Sequence, residues 1–140
     1  MLNSEEKKKL KNLKEVSESA FKDGEYKKSK RLLEQMIDML KDEDEIFNEV
    51  KAQAYYNLGC CELKLRSGNQ KECFKKAIEL GNRAIPDAYY NYGVALYKEG
   101  EVELAYHYMN CYMAITGEED SGALKIEEDV VKDIIYGGEW

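Results

Sequence analysis

The sequence predicts an all-α protein built from stacked helix-turn-helix repeats, and three observations carry that expectation. First, Ala54-Tyr55-Tyr56-Asn57-Leu58-Gly59 returns 34 residues later as Ala88-Tyr89-Tyr90-Asn91-Tyr92-Gly93, and Lys64 returns as Lys98. Second, apolar residues recur at helical spacing between turn signals along most of the chain. Third, there is a single proline in 140 residues, among long stretches of Lys, Glu, Leu and Ala that favour helix over sheet. A fixed period of this length, with small and aromatic residues at fixed offsets, marks helical-pair repeats. Such pairs stack into a right-handed α-solenoid whose usual output is a binding groove.

The elements follow in order. Asn3 with Glu6 three residues later has the form of a capping box and opens the first helix. Leu10, Leu13, Val16 and Ala20 continue it until Asp23-Gly24. A second helix from about Glu25 presents Tyr26, Leu33, Met36, Ile37 and Leu40 on its inner face. The acidic stretch Asp42 to Glu45 ends it and suits the start of the next helix dipole. In the third helix Ile46 or Phe47, Val50, Ala54 and Leu58 share one face, down to about Arg66. Ser67-Gly68-Asn69 turns the chain, with Asn69 as N-cap of a fourth helix that Gly81 stops. Pro86 suits the first turn of a fifth helix, which Gly100 ends. The sixth runs from Glu101 to Ile115 and the seventh from Ser121 to Tyr136. One domain over residues 1–140 is expected, with repeats at about 3–41, 44–82 and 86–117 and a capping helix at about 121–136. Gly59 and Gly93 are read as points where two helices approach closely, and Ala77 and Ala105 as small for the same reason.

Composition removes several function classes. The net charge of −7 argues against nucleic acid, which calls for a basic stripe. No apolar run approaches the ~20 residues of a membrane span, and the lysine-rich start has no apolar core of a signal peptide. Cys60, Cys61, Cys73 and Cys111 sit at irregular spacing on predicted helices, which reads as reduced, mostly buried thiols in a cytoplasmic protein.

The spacing resembles the tetratricopeptide repeat family over about Leu10 to Glu119. The third repeat matches best, with Tyr89, Gly93, Gly100, Ala105 and Ile115 where the family pattern wants large, small, turn, small and large residues. The second shares the first-helix signature but has a turn one residue shorter before Phe74 and Ala77. The first is degenerate, with Ser17 where glycine is usual and Ser29 where alanine is usual. Lys76-Ala77-Ile78-Glu79-Leu80-Gly81-Asn82 also looks like the related Sel1-type repeat.

The resemblance implies a groove lined by the first helix of each pair. Carried over residue by residue, its peptide-binding candidates are Lys14, Phe21 and Lys22 from the first repeat. The second gives Tyr56, Asn57, Cys60, Leu63 and Lys64, and the third gives Tyr90, Asn91, Val94, Tyr97 and Lys98. Lys22, Lys64 and Lys98 occupy equivalent positions, a ladder of positive charge beside an apolar and aromatic floor. Such a surface suits a protein or peptide partner with apolar anchors and acidic residues. The asparagine amides offer both donor and acceptor to a peptide backbone. The competing reading is that tyrosines at helical spacing are core, as expected for Tyr55, Tyr89 and Tyr92. Chaperone-docking members of the family hold a C-terminal carboxylate with lysine, asparagine and arginine, and Lys14 and Asn57 match two of those places. Glu18 and Asp87 put acidic groups at two others and Asn91 replaces the arginine, so the sequence disfavours that ligand.

Catalytic and metal chemistry find no support. His107 is the single histidine; Cys111 shares its helical face, but zinc needs three or four ligands. Cys60-Cys61 is no redox motif, no nucleophile–histidine pair is assignable, and no phosphate-binding glycine loop appears. No cofactor is expected. An alternative function is self-assembly through the C-terminal helix and tail, where Ile134, Ile135, Tyr136 and Trp140 carry apolar groups. From Thr116 to Trp140 eight acidic residues stand against two lysines, a charge that would compete for the lysine ladder unless it is simply a solvated face.

Overall fold

The protein is described by a computed structural model covering residues 1–117. Among these the chain forms six α-helices: α1 (Ser4–Lys22), α2 (Tyr26–Leu40), α3 (Asn48–Leu65), α4 (Gln70–Gly81), α5 (Pro86–Lys98) and α6 (Val102–Thr116). Two short 3-10 segments, Glu45–Phe47 and Asn82–Ala84, precede α3 and α5, and the described residues contain no strand. The described residues divide into two compact units, Met1–Ala84 and a second that begins at Ile85. The expected capping helix at about 121–136 and the apolar tail invoked for self-assembly lie outside the described residues.

In the first unit α1 packs on α2, α2 on α3, and α3 on α4; in the second, α5 packs on α6. The start of α1 is the capping box that its sequence predicts. Asn3 Oδ1 accepts from the Glu6 N–H at 2.8 Å, and the Asn3 N–H donates to Glu6 Oε1 at 3.1 Å. Gly24 and Gly100 make the tight turns after α1 and α5 at φ of 79° and 82°, a left-handed conformation that costs glycine little. Leu13, Leu33, Met36, Ala54 and Cys61 form a buried cluster of the first unit, with Leu10, Phe21, Ile37 and Leu58 packed around it.

Side-chain size sets how closely the helices cross. A Cβ on Gly59 would lie 2.6 Å from the Phe74 ring, and one on Gly93 would lie 2.5 Å from Met109 Cε. Each glycine thus seats a large residue of the following helix, and Ala77 and Ala105 are fully buried beside them. In the first hairpin two hydroxyls take over this crossing. Ser29 Oγ donates to the Ser17 carbonyl at 2.8 Å, and Ser17 Oγ donates back to the Lys14 carbonyl at 2.9 Å, both side chains being buried. Satisfied in this way, the polar groups carry no desolvation penalty of an orphan.

Four local expectations are corrected. Ile46 is 80% exposed and belongs to the 3-10 segment, because α3 starts only at Asn48, after the chain has turned. Asn69 stands at the N-cap of α4 but makes no capping bond. Its side chain serves the Glu62 carboxylate instead, while its N–H donates to Ser67 Oγ at 3.1 Å. Gly81 is the last residue of α4, buried and helical; Asn82, at φ 49°, makes the turn. Tyr55 and Tyr89 are half-buried, and of the three tyrosines assigned to the core only Tyr92 is buried. Tyr55 edges a surface cavity with Ile37 and Leu80, and Tyr89 leans on the Tyr108 ring at 6.1 Å, so each helix face is wider than its core stripe.

Candidate functional site

A cavity of about 340 Å³ opens in the first unit. Ser17, Glu18, Phe21 and Lys22 of α1 form one wall, and Tyr56, Asn57 and Cys60 of α3 the other. Ser29 and Leu33 of α2 close its bottom. The helical period explains the grouping: residues three and four apart share a face, so Ser17, Phe21 and Glu18, Lys22 rise together, as do Tyr56 and Cys60. Its volume falls in the range of natural ligand pockets, roughly 300–1,000 Å³.

The inside is apolar and aromatic with a few directed polar groups. Tyr56 is half-buried and its ring stands 5.7 Å from that of Phe74, while Phe21 meets Tyr26 edge-on at 5.1 Å. Gln53 Nε2 donates to Asn57 Oδ1 at 2.9 Å, which leaves the Asn57 amino group to donate elsewhere. The Ser29 hydroxyl is committed to Ser17. Glu18 and Lys22 are exposed, one turn apart on α1, and set opposite charges at the rim.

An ion pair with a buried carboxylate links α2 and α3. Lys30 Nζ of α2 is 2.8 Å from Glu62 Oε1 of α3, whose side chain is only 4% exposed. Ser67 Oγ donates to Glu62 Oε2 at 2.8 Å, and Asn69 adds a further hydrogen bond. Burial pushes the Glu62 carboxyl up, but the bonds from Lys30, Ser67 and Asn69 together outweigh it and hold the group below the usual glutamate range. Lys30 is raised in turn, chiefly by its hydrogen bond to Glu62.

Of the candidates named from sequence, Phe21, Lys22, Tyr56, Asn57 and Cys60 converge on the cavity. Lys14 lies exposed about two turns before Phe21, and Leu63 and Lys64 lie exposed beyond Cys60, outside its lining. In the second unit Tyr90 and Val94 pack on the buried pair Met109 and Tyr112, the Tyr90 and Tyr112 rings meeting edge-on at 5.3 Å. Asn91 and Tyr97 are half-buried there, and Lys98 is exposed. Sequence reasoning missed Ser29, Leu33 and Glu62. The signal for Glu62 was present: it follows Leu58 by four residues and precedes Leu65 by three, which puts it on an apolar face.

Among the described residues all four cysteines are thiols, Cys61 buried and the others half-buried. His107 Nε2 and Cys111 Sγ are 3.8 Å apart, and no group of three or more potential metal-binding His, Cys, Asp or Glu residues occurs among the described residues. No described helix is long and apolar enough to cross a membrane.

Solved structures share this arrangement of helical pairs. The second tetratricopeptide repeat domain of human RPAP3, determined by NMR in complex with the HSP70 peptide SGPTIEEVD, superposes with a TM-score of 0.70 at 16% identity. The match covers 89% of this chain and 96% of that one. This chain has the tetratricopeptide repeat fold. Pseudomonas aeruginosa pilF gives a TM-score of 0.69 at 21% identity, over 93% of this chain and 62% of its own. No family model matches the sequence, and no curated protein matches it significantly. The repeat fold therefore persists here on a sequence whose first pair uses Ser17 and Ser29 in place of the small residues usual to such repeats.

Proposed function

We propose that the protein is a protein-interaction module that seats a large apolar side chain of a partner segment in the cavity between α1 and α3. The observation that carries this is the convergence of Phe21, Tyr56, Asn57 and Cys60 on one concave, mostly apolar site. An aromatic floor supplies area at little entropic cost, and Asn57 supplies a directed donor for the partner's backbone. Lys22 at the rim suits a carboxylate on the partner, close to the anchor. The RPAP3 domain, of the same fold, is in complex with a peptide, which supports a peptide or protein partner for this chain. Glu18 at the same rim disfavours a partner that ends in a free carboxylate there. The remaining first-unit candidates, Lys14, Leu63 and Lys64, are proposed to extend contact along the bound segment; Tyr90, Asn91, Val94, Tyr97 and Lys98 are proposed as partner-contacting residues of the second unit taken by itself.

Affinity purification from native cells identifies a partner, and binding is then measured with Tyr56→Ala and Lys22→Glu. Loss of roughly tenfold or more in affinity, with helicity and melting retained, supports the reading. Unchanged affinity in both variants refutes it.

A further inference from the structure

Charge is unevenly divided along the sequence. Residues 1–84 carry 18 lysines and arginines against 16 acidic residues, whereas residues 85–140 carry three lysines against 12 acidic residues. Most of that acidic excess falls in residues 118–140, which lie outside the described residues and hold eight acidic groups against two lysines. When two copies meet, the basic part of one attracts the acidic part of the other.

The apolar groups follow the same division. The cavity of the first unit presents Phe21, Tyr56 and Cys60, all half-buried, above the buried Leu33, with Lys22 exposed at its rim. The helix that forms one of its walls, α1, carries six lysines against four glutamates. Residues 118–140 hold the complement: Ile134, Ile135 and Tyr136 follow directly on Asp133, and Trp140 is the single tryptophan of the sequence. A large aromatic side chain contributes about 150–250 Å² of contact when buried. A carboxylate close to it suits the Lys22 ammonium.

We propose that the cavity binds residues 133–140 of a second copy of this chain, with Tyr136 as the apolar anchor and Asp133 toward Lys22. Glu18 at the same rim sets the direction, because it repels Asp133 where Lys22 attracts it. The inference rests on the reading of the cavity as a seat for a large apolar side chain, and it names one occupant. A copy whose cavity is filled in this way is closed to any other segment, so self-association and partner binding exclude each other. The contact is heterologous, a cavity on one copy meeting the acidic segment of the next, and it extends with concentration unless a ring closes.

Two full-length variants and the lone tryptophan test this. One copy, Lys22→Glu, keeps its tryptophan and has a weakened cavity. The other, Tyr136→Ala/Trp140→Phe, keeps the cavity and emits no tryptophan fluorescence. Titrating the second into the first is expected to shift Trp140 emission saturably to shorter wavelength, with weaker binding at raised salt. Adding Lys22→Glu or Tyr56→Ala to the second copy should cut that affinity roughly tenfold or more. Lys22 is exposed, so its variant keeps the test decisive even if Tyr56→Ala loses helicity. Wild type should sediment with a mass that rises with concentration, and each variant alone should associate more weakly. No shift on mixing, or a shift that Lys22→Glu leaves untouched, overturns the proposal. So does a wild-type emission that is already shifted and independent of concentration, which marks docking within one chain. If the shift is absent while Tyr56→Ala still weakens a captured partner, the self-contact fails and the cavity's role as a partner site stands.

Discussion

Lys30 of α2 and Glu62 of α3 meet at 2.8 Å with the carboxylate almost wholly enclosed and the ammonium about one-third exposed. The pair joins the first hairpin to the second, and Ser67 and Asn69 bring the following turn into the same network. A charge buried there is tolerated because Lys30 stands at ion-pair distance and Ser67 and Asn69 donate to the carboxylate.

Lys30→Met removes the cation and leaves that carboxylate without its ion partner. We expect a loss of roughly 2 kcal/mol in urea unfolding, below the range for a fully buried pair because Lys30 is partly solvated and Ser67 and Asn69 remain. Adding Glu62→Met should recover much of it. A double variant no more stable than the single one would refute the account.

The same network fixes an acid limb in the stability profile. Glu62 titrates below its unfolded value of 4.5, so its contribution is complete above that value and is lost as pH falls through the lower folded value. Lys30 acts at the other end: its contribution holds below 10.5 and disappears as pH rises through the raised folded value. Thermal melts from pH 6 downward should fall more steeply for the wild type than for Glu62→Gln; parallel curves contradict the assignment.

Two glycines in equivalent positions should answer differently to alanine. At Gly59 the added methyl meets the rigid Phe74 ring at 2.6 and 2.8 Å, and overpacking should cost about 1–2 kcal/mol despite the better helix former. At Gly93 it meets the flexible end of Met109, which swings aside, so the net change should be within about 0.5 kcal/mol of zero or stabilising. Chemical denaturation of both variants decides, and a reversed order would show that the crossings are not set by these side chains.

Thiol labelling reads the cavity directly. Burial pushes the Cys73 thiol up to about 11 and raises Cys61 as well. Both should therefore react slowly with a small disulfide reagent at pH 8. Cys60 stands at the cavity wall, and a bound partner should protect it. Mass mapping in which saturating partner leaves the labelling of Cys60 unchanged contradicts this geometry.

Much of the fold was legible because the signals were local. The Asn3 capping box, the turn glycines and the recurring Gly59 and Gly93 each act over a few residues or one helix crossing. The cavity was half legible. Its walls follow from the first-helix face of each repeat, but Ser29 and Leu33 look like ordinary inner-face residues of α2 until the hairpins are brought together. Glu62 was harder, since one glutamate among many in a charged chain shows its burial only when Lys30 arrives from another helix. Asn69 and Gly81 misled for a related reason: an asparagine can cap a helix, serve a distant carboxylate or accept positive φ, as Asn82 does in place of Gly81, and tertiary neighbours choose among these.

Among the described residues the lining of the cavity comes from α1, α2 and α3. Single replacements at Phe21, Lys22 or Asn57 therefore suffice to retune what it accepts. These three rods would carry a chosen recognition preference with them if grafted into another array of repeats.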